Sequence, residues 1–451
     1  MGNDVSRRKA MGTLGAAALA AGVGAKAAQA DEPVKGAGAT AADGIQRTRP
    51  AGLAPTVVDG KVVQPRRELP VLHTTDVLVV GGGPAGVAAA LAARRTGAAV
   101  TLVERYNHLG GLWTGGLVLI VVGMNTMEGK QVTKGIGEEM LQRLGKVDRG
   151  IVGHRPGGSP TVDAEALKYV MVEMVREAGI RVFLHCWGVD AIVDGTTVRG
   201  AVFESKSGRQ AIVAKQVVDA SGDGDIFAAA GAEFQHLKFR TGLVHRIGNL
   251  DRVDKAKAKG HKKPKGLGSI SPIRGVNWVN MQGPKADGLD VADLTRLEMN
   301  HRRHIWNSVQ RIRKTPGYEQ VYLMETAPQL GVRISRLLAG THQLTMKDVM
   351  AKRAFPDVVG VGGRWCAKHP AWQIPYGALV PKRIDNVLAA GRCVSGEARM
   401  ADLLRVIPPC FVTGHAAGVA AAVAVADGCR ARDVDVAKVQ TLLRKQGAYL
   451  G

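Results

Sequence analysis

The chain has 451 residues, 45% of them apolar and 22% charged, near the averages for a soluble globular protein, so a large core is available and a fibrous or disordered chain is excluded. Its 58 glycines gather at motifs, with no collagen-like period and no repeat of solenoid or propeller length. The formal net charge is +22, which suits an anionic substrate, a membrane surface or a nucleic acid, and the length suggests two or three domains.

Residues 1–30 read as an address. Ser6-Arg7-Arg8-Lys9 precedes a weakly apolar, alanine-rich run over residues 11–25, and Ala28-Gln29-Ala30 offers small residues to a signal peptidase. A paired arginine before a mild apolar run is the twin-arginine export pattern, with Ala10 where an aromatic is common. The expectation is a periplasmic protein, exported already folded around a cofactor, with no membrane span once the signal is removed. An uncleaved amphipathic helix is the competing reading. Residues 31–75 read as a polar linker running into a leading strand.

Residues 76–80 form a short apolar run of the buried parallel-strand type, which leads into Gly81-Gly82-Gly83-Pro84-Ala85-Gly86. An alanine-rich helix follows over 87–95, then a second strand over 99–103 with Glu104 at its end. Gly81 permits the tight turn, Gly83 lets a pyrophosphate approach bare backbone, and Gly86 lets the helix pack on the strand. The helix start at Pro84 presents the free N–H groups of Ala85 and the residues after it to the phosphates. Glu104 stands where a carboxylate holds ribose hydroxyls. Strand, loop, helix and acid together predict dinucleotide binding. Glu104-Arg105 is followed by Gly110-Gly111, a pair that lets the chain run close to a flavin, and this selects FAD over NAD.

At this point the sequence resembles the FAD-dependent oxidoreductase family of glutathione-reductase-like flavoproteins, with fumarate reductase flavoprotein subunits as distant relatives. Residues 104–111 look like the family's first flavin loop. Residues 217–225, with Ala220, Gly222 and Asp223, look like its second FAD signature. Residues 330–336 look like its arginine motif, 386–393, with Gly391 and Arg392, like its C-terminal flavin strand, and 405–418, with Gly414 and Ala417, like the helix that closes the site. Ile334 stands where the family often has an acid, and His415 where it often has a glutamine. The resemblance implies an α/β fold: a Rossmann-like FAD-binding domain with a parallel sheet, in two parts (76–235 and 381–430), an inserted α+β substrate domain (236–380) and a C-terminal helix (431–451). It also implies that the helix near residue 410 points its positive end at the flavin pyrimidine ring, raising the reduction potential.

The remaining elements follow in chain order. Asp163 caps an amphipathic helix to about residue 178, which Gly179 ends, and a strand follows over 181–185. Val189 opens a Val-x-x-Ile pattern whose backbone is placed to contact adenine. Lys255, Lys257, Lys259, Lys262, Lys263 and Lys265 read as a solvated loop. No aromatic is interleaved with them, so no nucleic-acid partner is expected. Asp290 caps a helix to about residue 314, whose basic residues read as an exposed face.

Arg333, Arg336, His342, Tyr376, Arg399 and Arg405 are candidates for the active site. Arg333 and Arg405 lead, because a guanidinium can clamp a substrate carboxylate or steady an anionic flavin. An ion pair at a domain interface is their alternative reading. His342 and His415 are acid–base candidates, Cys410 a thiolate candidate and His108 a point of covalent flavin attachment; for each, structural packing is the competing reading. The five cysteines, Cys186, Cys366, Cys393, Cys410 and Cys429, form no CxxC pair and nothing has zinc spacing, so no metal is expected. A second glycine-rich βαβ unit is lacking. Electrons are therefore expected to pass between the flavin and a small, anionic organic substrate, a quinone or a small carrier. A NAD-linked dehydrogenase and a non-catalytic or electron-carrier-linked protein that retains FAD are the rival classes.

Overall fold

The computed structural model describes residues 54–364 and 369–451. The export signal and Cys366 therefore lie outside the described residues. The chain divides into two units after residue 65. The described part of the first is a hairpin, Thr56–Val58 against Lys61–Val63. Asp59 and Gly60 turn it with positive φ values of 50° and 72°, as a two-residue turn requires.

The second unit, residues 66–451, opens with β1 (Val71–Val80). This strand starts five residues ahead of the sequence expectation, because only its second half carries the continuous apolar run; Val71–Thr75 is mostly exposed or half-buried. The glycine turn leads to α1 (Pro84–Arg95) and then β2 (Val100–Val103), buried along its length. Next come α2 (Ile136–Leu144), α3 (Ala164–Glu177) and β3 (Arg181–Phe183). Asp163 caps α3 as expected, its Oδ1 accepting from the Glu165 and Ala166 N–H groups at 3.0 Å. A meander of β4 (Trp187–Asp194), β5 (Thr197–Ser205) and β6 (Gly208–Asp219) follows, and then the short α4 (Asp225–Ala229).

These strands form one seven-stranded sheet with β10 (Val387–Ala389), in the order β3-β2-β1-β6. The twelve-residue β6 is shared. Its first half pairs antiparallel with β5, and its last three residues pair parallel with β10, Val217 opposite Val387. The parallel core β3-β2-β1-β6-β10 is the Rossmann-like sheet. The second half of β1, β2 and β10 are buried, mostly apolar runs packed under α1 and the helix Ile407–Asp427.

The expected substrate region, residues 236–380, pairs its strands antiparallel. Its sheet runs Ser269–Ile270, β8 (Asn277–Asn280), β7 (Val244–Gly248) and β9 (Tyr322–Thr326). Helix α5 (Val291–Arg313), capped by Asp290, seats Val309 and Ile312 on Ile247 and Val321. Buried Arg246 on β7 ties this region to the first: it donates to Asp163 Oδ2 at 3.0 Å, behind the cap of α3, and also to Glu325.

Helix α6 (Ile407–Asp427) returns to the FAD-binding region, and α7 (Val436–Lys445) packs on it. Among the described residues α6 alone is long and apolar enough to cross a membrane, yet it is a core helix, packed on α1 and the sheet. A Cβ on Gly414 would sit 2.1 Å from Ala85 O, and one on Gly418 2.2 Å from Ala89 O. Glycines four residues apart on one face therefore set the distance between α6 and α1.

Candidate active site

A cavity of about 460 Å³ lies where the two regions meet. One set of lining residues comes from the glycine motifs, the other from the substrate region, and Arg405, Val406, Ile407 and Cys410 at the start of α6 join them.

The glycine turn builds the first wall. Gly81 has φ 104°, and a Cβ there would lie 2.3 Å from Ala220 O, so strand β6 touches the turn. Gly83 caps α1 without a side chain, and no atom lies within 4 Å of where its Cβ would be. Open space and uncapped first-turn N–H groups at a helix start are what a diphosphate requires. Gly86 has a packing role: its Cβ would sit 1.7 Å from Gly81 O. Pro84 and Ala85 line the cavity between them.

Glu104 ends β2 and is buried. Its Oε2 accepts from Gly82 N at 2.6 Å and its Oε1 from Tyr106 N at 2.9 Å, which orients the carboxylate and leaves lone pairs for ribose hydroxyls. Gly110 donates its N–H to Gly82 O at 2.7 Å and shapes the loop, while Gly111 lines the cavity, where an added Cβ would lie 3.1 Å from Gly83 Cα. Arg105 lines it too, its guanidinium 4.8 Å from the Tyr106 ring and 5.8 Å from that of Trp187.

Ala220, Gly222, Gly391 and Arg392 complete this wall. Asp223 does not face the cavity. Its carboxylate accepts from Ser335 Oγ at 2.6 Å and Arg392 at 2.9 Å, and its carbonyl accepts from Arg336 at 2.9 Å. Burial alone would raise Asp223, but the Arg392 charge and the Ser335 hydrogen bond outweigh it and hold the carboxyl below its usual range. The expected cofactor ligand is thus a hub that fixes Arg392 and the arginine motif. Val189 is half-buried and not among the residues lining this cavity: the β4–β5 register slips between Gly188 and Asp190, so it sits at a bulge beside Trp187. Trp187, missed in the sequence, takes the rim position. Gly414 and Ala417 are buried in α6 and are not among the lining residues, and Gly414 packs on α1.

Of the six active-site candidates, Arg333 and Arg405 come together at the cavity. Arg405 holds Asp402 Oδ1 through Nε at 2.9 Å and Nη2 at 2.6 Å. Arg333 donates to the neutral Asn280 Oδ1 at 3.3 Å. Burial, and then the charge of Arg405, bring Arg333 down to about 10, so it remains a cation at neutral pH. Two guanidiniums that repel one another across a cavity are stabilised by an anion placed between them. Asn280 and Gln282 add polar groups, and Val118, Ile120, Val244, Leu294 and Val332 make the rest apolar. The apolar run 118–122 was the signal in the sequence for that wall.

The other candidates serve the fold. Arg336 holds Asp225 at 3.0 Å and lies over the Phe234 ring. Tyr376 is buried and donates to Ala431 O at 2.6 Å, and Arg399 is exposed off the cavity. His342 sits edge-on to Phe355, and His415 donates to Gln446 at 3.0 Å. His108 is stacked on Tyr106, with its nitrogens beside Thr114 and Gln329, and does not line the cavity. Burial pushes the Cys410 thiol up to about 12, against the thiolate reading. At the start of α6, Pro408 and Pro409 carry no N–H, so its positive end acts on the cavity through the helix dipole more than through donors.

A glycine turn at a helix start, an acid-tipped second strand and a cavity closed by a second helix define a dinucleotide-binding flavoprotein of the oxidoreductase class. The model of the FAD dependent oxidoreductase family matches residues 76–242 and 244–443, and the chain belongs to that family. A digeranylgeranylglycerophospholipid reductase of Methanopyrus kandleri is 29% identical over 165 residues, 33% of this chain and 39% of that one. A thiamine thiazole synthase of Aeropyrum pernix is 41% identical over 71 residues, 16% of this chain and 25% of that one. The chain thus spans well under two thirds of these curated relatives. Among solved structures, a geranylgeranyl bacteriochlorophyll reductase-like protein of Thermoplasma acidophilum is similar over 84% of both chains, at 16% identity and a TM-score of 0.46.

Proposed function

We propose that the protein oxidises or reduces a small organic anion, bound between Arg333 and Arg405, by hydride exchange with the flavin. The observation that carries this reading is the meeting, on one cavity, of the glycine-built FAD wall with the guanidiniums of Arg333 and Arg405, the second of them paired with Asp402. When bound, FAD supplies the hydride donor or acceptor at N5. The chain supplies orientation and environment. Arg333 and Arg405 hold the anionic group, Asn280 sets the angle of Arg333, and the apolar wall keeps water from the reacting carbon. The positive end of α6 favours negative charge on the cofactor ring. A quinone or small carrier is the proposed second electron partner, since the one dinucleotide motif is committed to FAD. Export by the twin-arginine route, on the strength of residues 6–30, completes the proposal.

The test is anaerobic. Yellow holoprotein is mixed with a panel of small organic acids, and after photoreduction with their unsaturated counterparts. Bleaching or recolouring by an acid, and not by its amide, supports the reading. A flavin that responds to neutral compounds and to no acid would sink it.

A further inference from the structure

We propose that the outward face of α5 and the lysine loop beside it form a docking surface for an anionic phospholipid bilayer. Residues 251–320 hold fifteen Lys and Arg against seven Asp and Glu. The densest part is the segment from Lys255 to Lys265, whose six lysines are all exposed and, among the described residues, form no ion pair. Both ends of that loop are fastened at the C-terminal end of α5. Asp254 donates its N–H to Gly317 O at 3.0 Å, and Leu267 packs on the cluster of Val309 and Ile312. The loop therefore stands beside Arg311, Arg313 and Lys314, all exposed. Nine cations meet there, with Asp254 and Glu319 as the nearby acids. Asp254 is spent on capping the Lys255–Ala258 turn, and Glu319 on the Gly317 N–H.

The second observation is apolar. Met299, Arg303, Trp306 and Arg313 follow one another at helical spacing and lie on one face of α5. Met299 is 68% exposed and Trp306 56%, next to bases and not among other apolar side chains. Cations flanking an exposed indole and thioether suit a headgroup layer: the cations meet lipid phosphates while Trp306 and Met299 enter the interface. A nucleic acid fits less well. The loop has no aromatic, and α5 offers one indole where a strand would stack successive bases. Another edge of the same helix carries Leu294 and Glu298, which line the cavity. Docking by this face would bring a cavity wall to the bilayer, where an apolar reaction partner is concentrated. The proposal does not depend on the identity of the substrate.

The experiment uses the full holoprotein in flotation with vesicles of phosphatidylcholine alone or mixed with phosphatidylglycerol. Co-flotation is expected with the anionic vesicles only, and is expected to fall roughly tenfold between about 0.1 M and 0.5 M salt as screening shortens. A loop variant, Lys259→Glu with Lys262→Glu and Lys263→Glu, and Trp306→Ala separately, should each weaken it by about tenfold while the flavin spectrum is unchanged. Flavin content is measured on every sample, so a failure to load FAD is seen apart from a failure to bind lipid. Equal flotation with neutral vesicles, co-flotation that survives both variants, or yellow protein that shifts duplex DNA but leaves vesicles unbound would each overturn the inference.

Discussion

The cofactor wall and the substrate wall of one cavity are made of different materials. The cofactor wall is backbone: Gly81, Gly83, Gly111, Gly222 and Gly391 bring main chain to the surface, and their side-chain partners stand behind it. The substrate wall is side chain: Arg333, Asn280, Leu294 and Val332 come from a strand, a helix and a loop. Backbone recognition of a diphosphate allows few sequences, since a Cβ at the wrong place meets another chain. Side-chain recognition allows many.

That contrast can be broken most forcefully at Gly81. Gly81→Ala puts a Cβ against Ala220 O in a left-handed backbone conformation. Purified variant should keep less than about a tenth of the normal flavin, read by release on denaturation. Full retention would mean that the turn does not hold the cofactor as described. Next comes the helix crossing. Gly414→Ala combined with Gly418→Ala should lower unfolding stability by about 3 kcal/mol, measured by urea titration of the flavin-loaded protein, because two carbonyls of α1 must move.

Acid should weaken the fold as well. His245, buried on β7, is pushed down to about 4 by burial, against 6.5 in the unfolded chain. The unfolded state takes up the proton first, so stability is held above pH 6.5 and lost as pH falls from there toward about 4. The loss reaches about 3 kcal/mol when complete, and His245→Gln should flatten the slope of urea midpoint against pH. Parallel slopes for the two proteins would rule this out. The smallest effect separates the walls most cleanly: Arg333→Ala should leave flavin content intact while weakening binding of small carboxylates about tenfold to a hundredfold, seen as a perturbed flavin spectrum. Loss of flavin in that variant would put Arg333 on the wrong wall.

The same contrast explains what the sequence made legible. Gly81, Gly83, Glu104 and Gly111 can be read from spacing, because each position is constrained by an absent side chain or a strand end, whereas Ala220, Gly222, Gly391 and Arg392 come from the family resemblance. Arg333 and Arg405 could be named as cations but not paired, since 72 residues separate them and only the fold brings them to one cavity. Asp223 sits in the motif and spends its carboxylate on Arg392 and Ser335, and Val189 sits at a bulge, neither of which spacing reveals. The glycines of α6 carry a helix–helix contact, and a small residue in a sequence does not say which neighbour needs the room.

Strand β6 waits for its last neighbour. Val217 meets Val387, so 170 residues, including the whole substrate region, must be synthesised before the sheet can be finished. The N-terminal part of the cofactor cradle leaves the ribosome early and stays open at the edge that β10 will occupy. Loading FAD is consequently a late event in the life of the chain, and a ribosome stalled before residue 387 would carry a nascent protein with its glycine turn complete and its cradle still unclosed.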